Sequence, residues 1–350
     1  MNTLLFFGEL PPKVNHGISI SNKRILADLN KEFEIVSIED DSSFQSGMCK
    51  FSNIFKSIYK VMRINKDNVE LFYLNCPTSV LGLIKNIIFL LIVKRKWRNV
   101  YVISHLHRGD VGVFLDGFLS KKTFDLYYKV VDRILVLSDS IVKELVKRGY
   151  NKGKFSILYN TVDNDYLSYI SDDISDDSFG GYYLSLSNYI KTKNITTTLE
   201  YFKLNAGLFV HCYGSSDGLY FNELKNNYSY NNIFINGPIY GNDKKIKVRN
   251  AKAMLISSKN EGMPLVILEA LSLGTPVICY DVGCIKEYLG SDYPGLVSEL
   301  TDDAFFRKVS WLNSLSSSDY LALREHSRQI FWSRFSPDNI REETINVFSK

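Results

Sequence analysis

Asn260-Glu261-Gly262-Met263-Pro264-Leu265-Val266-Ile267-Leu268-Glu269-Ala270-Leu271-Ser272-Leu273-Gly274 is the most informative stretch of the chain. Pro264 suits the first helical position, where its missing N–H costs nothing. Gly274 suits the left-handed residue just past a helix end. A helix is therefore expected over about Pro264–Leu273, behind a strand over Ala253–Ser257. Gly262 lets the backbone turn tightly into the helix start. Free N–H groups and the positive end of the helix dipole collect there and favour a phosphate. Glu269 breaks the pattern, because its neighbours at three and four residues are Leu265, Val266, Ser272 and Leu273. An ionised carboxylate on so apolar a face is costly unless it is paired or hydrogen-bonded. A sugar diol, with two hydroxyl donors, suits it. Glu261 stands just before the helix, so two acids flank a phosphate-friendly helix start.

Working outward, short apolar runs bounded by turn residues recur along the whole chain. Strands are expected over Thr3–Phe7, Phe33–Ser37, Val69–Leu74, Val100–Ser104, Ile134–Leu137 and Phe155–Tyr159. In the second half they are expected over Tyr182–Leu186, Leu208–Cys212, Ile233–Ile235, Ala253–Ser257 and Val277–Cys279. Helical spacing fills the intervals, as in Ser19–Leu29 and in Ser140–Arg148, the latter starting at a capping Ser140. Such alternation predicts an α/β fold of parallel sheets with helices on both faces. The acidic, apolar-poor run Ser171–Ser178 reads as a linker. We expect a doubly wound, Rossmann-like domain over 1–168, a linker over 169–180, a second such domain over 181–330 and a tail over 331–350 that crosses back to the first. Two such domains make a cleft, and their ligands bind outside the carboxyl ends of the strands.

The 350 residues are 45% hydrophobic, 23% charged and 13% aromatic. Those values exclude a collagen, a coiled coil, a disulfide scaffold and a disordered chain. With 42 basic and 38 acidic residues, the net charge of +4 implies no nucleic-acid partner. Five cysteines without a Cys-x-x-Cys argue against a disulfide framework or a structural zinc, and for a reduced, cytoplasmic setting. The amino terminus reads as a buried strand, not a signal peptide. The apolar block Ile87–Val93 is too short to span a bilayer, which needs about 20 residues.

Glu261 and Glu269, separated by seven residues, with Ala270-Leu271 and Gly274-Thr275-Pro276-Val277 behind them, resemble the Glu-x7-Glu signature of retaining GT-B glycosyltransferases of the GT4-like, group 1 type. The resemblance covers most of the chain. Pro11-Pro12 and His16-Gly17-Ile18 resemble the family's Gly-rich loop after the first strand, Val131–Ser138 one of its later strands, and Tyr159–Asp163 its Tyr-Asn-Gly-Val-Asp turn. His107 resembles the strand-end histidine of the donor-sugar pocket, with His105 in the strand before it. The resemblance implies that Glu269 holds the ribose hydroxyls and Glu261 hydroxyls of the transferred sugar. It gives the backbone of Gly262, Met263, Pro264 and Leu265 to sugar and diphosphate. Lys193 matches the diphosphate lysine, Ile239 lies in the loop against the base, and Gly17 approaches the phosphates. The donor is then a UDP- or GDP-sugar and the acceptor a glycan or lipid-linked molecule. Neither a metal nor a further cofactor is implied, and the setting is surface polysaccharide synthesis.

Two departures stand out. Ser187-Asn188 replaces the family's Gly-Arg, so Asn188 brings a hydrogen-bond donor where a cation is expected. His16-Gly17 replaces Gly-Gly. The first departure motivates an alternative, a GT-B-like binding or partner subunit with little catalysis. A sugar-nucleotide epimerase on the same architecture is a third option. Asp163-Asn164-Asp165 spells a metal motif of other glycosyltransferases and reads here as helix capping. Lys94-Arg95-Lys96-Trp97-Arg98 is the densest basic cluster and a candidate contact with the inner face of an anionic membrane, or simply the charged last turn of a helix.

Overall fold

The computed structural model describes residues 2–14, 16–40, 48–66, 69–169, 181–216 and 218–349, with the side chains of 48–54 and 167 left aside. The linker expected over 169–180 falls, from residue 170 on, outside the described residues. The chain forms two compact units, Met1–Asn160 together with Asp338–Lys350, and Thr161–Pro337.

The first unit is built on six parallel strands: β1 Asn2–Gly8, β2 Phe33–Glu39, β3 Leu71–Asn75, β4 Tyr101–Leu106, β5 Arg133–Val136 and β6 Phe155–Ile157. Their order is β2-β1-β3-β4-β5-β6. The second unit has β7 Tyr182–Leu186, β8 Phe209–Tyr213, β9 Ile233–Asn236, β10 Met254–Ile256, β11 Val277–Tyr280 and β12 Leu296–Val297, in the order β12-β11-β10-β7-β8-β9. Each chain path starts in mid-sheet, runs to one edge, then returns to build the other side. The direction reverses between β1 and β3 and between β7 and β10, and such switch points open a crevice at the strand ends. The two-residue β12 is too short to show a period in the sequence.

Strands buried on both faces explain the near-continuous apolar runs, as in Leu4, Leu5 and Phe6 or Val277–Tyr280. Right-handed crossovers lay the helices Met48–Arg63, Val80–Lys96 and Phe118–Val130 side by side on one face of the first sheet. The other face is covered by Gly17–Leu29 and by the late helix Pro337–Phe348. Ile25 and Leu29 share a core there with Ile340 and Phe348. Arg133 also donates to the Val347 carbonyl at 3.1 Å. The helix Asp139–Lys147 is capped by Ser138, whose Oγ accepts from Ile141 N at 3.2 Å, and not by Ser140. Ser138 is the last extended residue, and an N-cap needs that extended backbone to reach its N3 amide.

Candidate active site

The switch point of the second sheet gathers the two glutamates. The helix there runs over Leu265–Ser272, one residue shorter at each end than expected. Pro264 has the φ of a helix but an extended ψ of 122°, so it serves as N-cap and no side chain caps the amides behind it. Gly274, at φ +69°, supplies the left-handed residue after the helix. Glu261 precedes this helix and is buried. Gly283, at φ +59°, lies so close that a Cβ there would come within 1.8 Å of the Glu261 carbonyl oxygen. No other residue fits that backbone approach.

Lys193 closes the one-turn helix Lys191–Lys193 behind β7. Its Nζ lies 2.8 and 2.9 Å from the two carboxylate oxygens of Glu261. The pairing is set by the next residue. Asn194 is left-handed at φ 50°, and its Nδ2 donates to the Ser257 carbonyl at 3.2 Å. Ser257 Oγ returns a bond to the Asn194 carbonyl at 2.8 Å. These two bonds tie the β7 and β10 loops together and place Lys193 against Glu261. Neither Ser257 nor Asn194 was singled out in the sequence for this, because the partners are 63 residues apart.

Glu269 is buried within its helix and has two partners that the sequence reading missed. Lys244, in the helix Gly241–Asn250, lies 2.7 and 2.6 Å from its oxygens. The Tyr166 hydroxyl bonds to the same carboxylate. Burial first, and then the Glu269 charge, raise the Tyr166 phenol above its ordinary range. Adjacent Lys245 is itself buried, pairs with Asp165 and stands 5.2 and 5.1 Å from the Tyr166 and Tyr169 ring centres. The expected solution to the buried carboxylate, a hydrogen-bonded partner, is thus supplied within the chain. The one available signal was the Lys244-Lys245 doublet in an otherwise ordinary helix. Asp163 and Asp165 do not stand as a metal pair: Asp165 serves Lys245, and the Asp163 carbonyl takes the Tyr166 amide at 3.0 Å.

Asn188 is exposed, and its Oδ1 accepts the Ser215 amide at 3.4 Å, so it brings no charge. The fully buried Tyr189 beside it donates its hydroxyl to the Asn236 carbonyl at 2.7 Å. That bond fixes the end of β9 and the Gly237-Pro238-Ile239 loop, where Ile239 is half-buried.

On the first unit, His105 ends within β4 and His107 stands just past it, with ring centres 3.9 Å apart. Asn22 and Asn75 exchange amide bonds of 2.8 and 3.0 Å. Asn75 Nδ2 also lies 3.1 Å from His107 Nε2. Asn22 Nδ2 also donates to the Glu9 carbonyl at 3.0 Å, which orients both amides, so the contact makes Nε2 the acceptor and leaves the proton of neutral His107 on Nδ1. Burial, reinforced by His16, holds the His107 imidazole down at about 3. Burial and His107 hold His105 well below the ordinary range too. Tyr73 completes the set, with its hydroxyl 3.2 Å from Asn22 Oδ1 and 3.1 Å from His105 Nδ1. Gly17 opens the helix Gly17–Leu29 behind its N-cap His16, whose Nε2 lies 2.7 Å from Glu9.

In the basic cluster, Lys94 pairs with Asp132 at 2.9 Å, and Lys96 donates to the Val61, Met62 and Ile64 carbonyls. Trp97 is 5% exposed and its indole N–H bonds to the Lys66 carbonyl at 3.0 Å. Arg95 and Arg98 remain exposed.

Residues 178–329 match the family model described as Glycosyl transferases group 1. An uncharacterised glycosyltransferase of Methanocaldococcus jannaschii is 29% identical over 117 residues, which are 32% of this chain and 29% of that relative's length. Among solved structures, Anabaena HepE in complex with UDP superposes with a TM-score of 0.73 at 14% identity, covering 99% of each chain. Sucrose-phosphate synthase from Thermosynechococcus elongatus gives a TM-score of 0.76 at 14% identity, covering 99% and 98%. HepE with UDP-glucose matches at 12% identity and a TM-score of 0.73, covering 99% and 100%. At such identities the likeness is one of fold: the chain has the GT-B fold of glycosyltransferases, with the group 1 match on its second unit.

Proposed function

We propose that this GT-B chain is a retaining glycosyltransferase, moving a sugar from a nucleoside-diphosphate donor to a glycan or lipid-linked acceptor. The observation that carries the reading is the Lys193–Glu261 pair, 2.8 Å apart beside an uncapped helix start. Breaking the bond from the sugar's anomeric carbon to the diphosphate leaves growing negative charge on the phosphate oxygen. A cation held at that oxygen stabilises the charge most in the transition state. Lys193 is that cation, exchanging Glu261 for the diphosphate. Glu261 is then free to accept from hydroxyls of the transferred sugar. The amides of Gly262–Leu265 meet sugar and phosphate, and Glu269 takes the ribose hydroxyls. On the first unit, neutral His107 offers its Nδ1–H to the sugar, and Gly17 serves the phosphates. The acceptor hydroxyl forms the new bond on the face the diphosphate leaves, and its proton departs with the diphosphate. Lys193, not a metal ion, neutralises the leaving group in this scheme. HepE has been solved with UDP and with UDP-glucose, which makes UDP-glucose the first donor to try.

Titration calorimetry with UDP- and GDP-sugars, followed by a hydrolysis panel, tests the proposal. Donor binding with slow hydrolysis is expected, and the hydrolysis is lost in Lys193→Ala. Unchanged turnover in Lys193→Ala and Glu261→Ala overturns the assigned roles. The uncharged Asn188 favours one other reading, a donor-binding or partner subunit with little turnover of its own. It predicts no hydrolysis of any donor until a partner is added.

A further inference from the structure

We propose that the outer face of the Met48–Arg63 and Val80–Lys96 helices docks on an anionic lipid surface. The proposal rests on two helices that carry none of the residues assigned to the donor, and it does not depend on the function proposed above.

The helix Val80–Lys96 is apolar on both sides. Leu83, Phe89, Leu90 and Val93 are buried against the sheet. Leu81, Ile84, Ile88 and Leu91 are 78%, 42%, 48% and 55% exposed. Their spacing of three, four and three residues makes one continuous stripe along the helix. A surface helix ordinarily turns polar residues outward, so a second apolar stripe calls for a cover. The neighbouring helix repeats the pattern, with Phe55, Tyr59 and Met62 at 71%, 60% and 58% exposure. The two helices are fixed to each other. Lys96 reaches across to the carbonyls of Val61, Met62 and Ile64, and Trp97 bonds to the Lys66 carbonyl. The stripes therefore form one rigid face, and no side chain has to unfold to present it.

Charge selects the occupant. Each helix carries four Lys or Arg and no Asp or Glu. Lys56, Lys60, Arg63 and Arg95 are exposed beside the apolar stripes. A second copy of the chain, meeting this face about a two-fold axis, would set the same basic residues against one another. An anionic bilayer offers acyl chains to the stripes and phosphates to the cations. No helix among the described residues is long and apolar enough to cross a membrane, so the contact is shallow. The Lys94–Arg98 cluster contributes differently from its sequence reading. Trp97 and Lys96 build the platform, and the residues N-terminal to them meet the lipid.

The test is co-sedimentation of the full chain with vesicles of phosphatidylglycerol mixed with phosphatidylcholine, against phosphatidylcholine alone. Binding to the anionic vesicles is expected at about 0.1 M salt, with loss near about 1 M. Ile88→Glu with Leu91→Glu is expected to lower affinity at least roughly tenfold, and Lys56→Glu with Lys60→Glu by a similar factor. Phe55→Ser with Tyr59→Ser reports on the other helix should the first pair fold poorly. Donor calorimetry on the same preparations reads the donor site separately. Equal sedimentation with both vesicle types, or anionic binding unmoved by the Ile88/Leu91 pair, overturns the proposal. So does a concentration-dependent dimer that this pair abolishes in a chain that binds no vesicle.

Discussion

The crevice edges of the two sheets are made of opposite materials. Past β1, β3 and β4, side chains are locked by neutral hydrogen bonds: Asn22 with Asn75, Asn75 with His107, Tyr73 with Asn22 and His105. Carboxylates enter at the rim, where Glu9 meets His16 and Asp110 holds Arg108. Past β7 and β10, the side chains are held by full charges, Lys193 on Glu261 and Lys244 on Glu269. A neutral network has one good arrangement, and it is costly to leave any member unpaired. An ion pair at a half-open site has two, because the cation can take another anion and the carboxylate other hydrogen-bond donors. The first unit thus presents a fixed template and the second an exchangeable one.

The largest way to break this contrast is Lys193→Ala, which removes the exchangeable cation. Transfer or donor hydrolysis should fall about 10²–10³-fold, with the loss in kcat. A change confined to KM would mean that Lys193 only binds donor. Next comes Lys244→Met, which leaves Glu269 buried without its cation. The second unit should lose about 2–3 kcal/mol in denaturant unfolding, and Lys244→Met/Glu269→Gln should regain most of it. A double variant no more stable than the single one would show that the charges do not act as a pair. Asn75→Ala tests the template: activity should drop about tenfold, the worth of one hydrogen bond of about 1.4 kcal/mol. The His107 imidazole, followed by NMR titration, should rise from about 3. An imidazole that stays put would detach Asn75 from its control.

The template also answers to pH. The folded chain keeps His105 and His107 neutral well below the ordinary range of about 6.5. Between that value and about 3, the unfolded chain therefore binds protons that the folded chain does not. Stability should fall as pH drops through this window, by up to about 1.4 kcal/mol per pH unit for each histidine. Melting temperatures from pH 7 to 5 check this, and His107→Asn should flatten part of the slope.

What the sequence revealed and what it hid divide along chain distance. Glu261, Gly262, Pro264, Glu269 and Gly274 lie within one strand–loop–helix unit, so spacing alone places them on a helix and at its mouth. The parallel strands were legible because burial on both faces writes an unbroken apolar run. Lys244 and Tyr166 were not legible. They meet Glu269 only because the sheet order brings a helix and a turn from elsewhere in the chain beside it. The lysine that satisfies Glu269 looks, in sequence, like any solvated helix charge. The outward stripe of Val80–Lys96 was hidden for another reason: in a helix apolar all round, the two faces cancel in the pattern.

The late helix also sets an order of events. The first unit is written in two pieces, with all of Thr161–Pro337 between them. Ile340 and Phe348 fill the same core as Leu4 and Phe6, from the other side of the inserted unit in sequence. On the ribosome, the inserted second unit is complete while the first still shows an unfilled apolar face. The first unit therefore waits, through the synthesis of an entire neighbour, for its last helix.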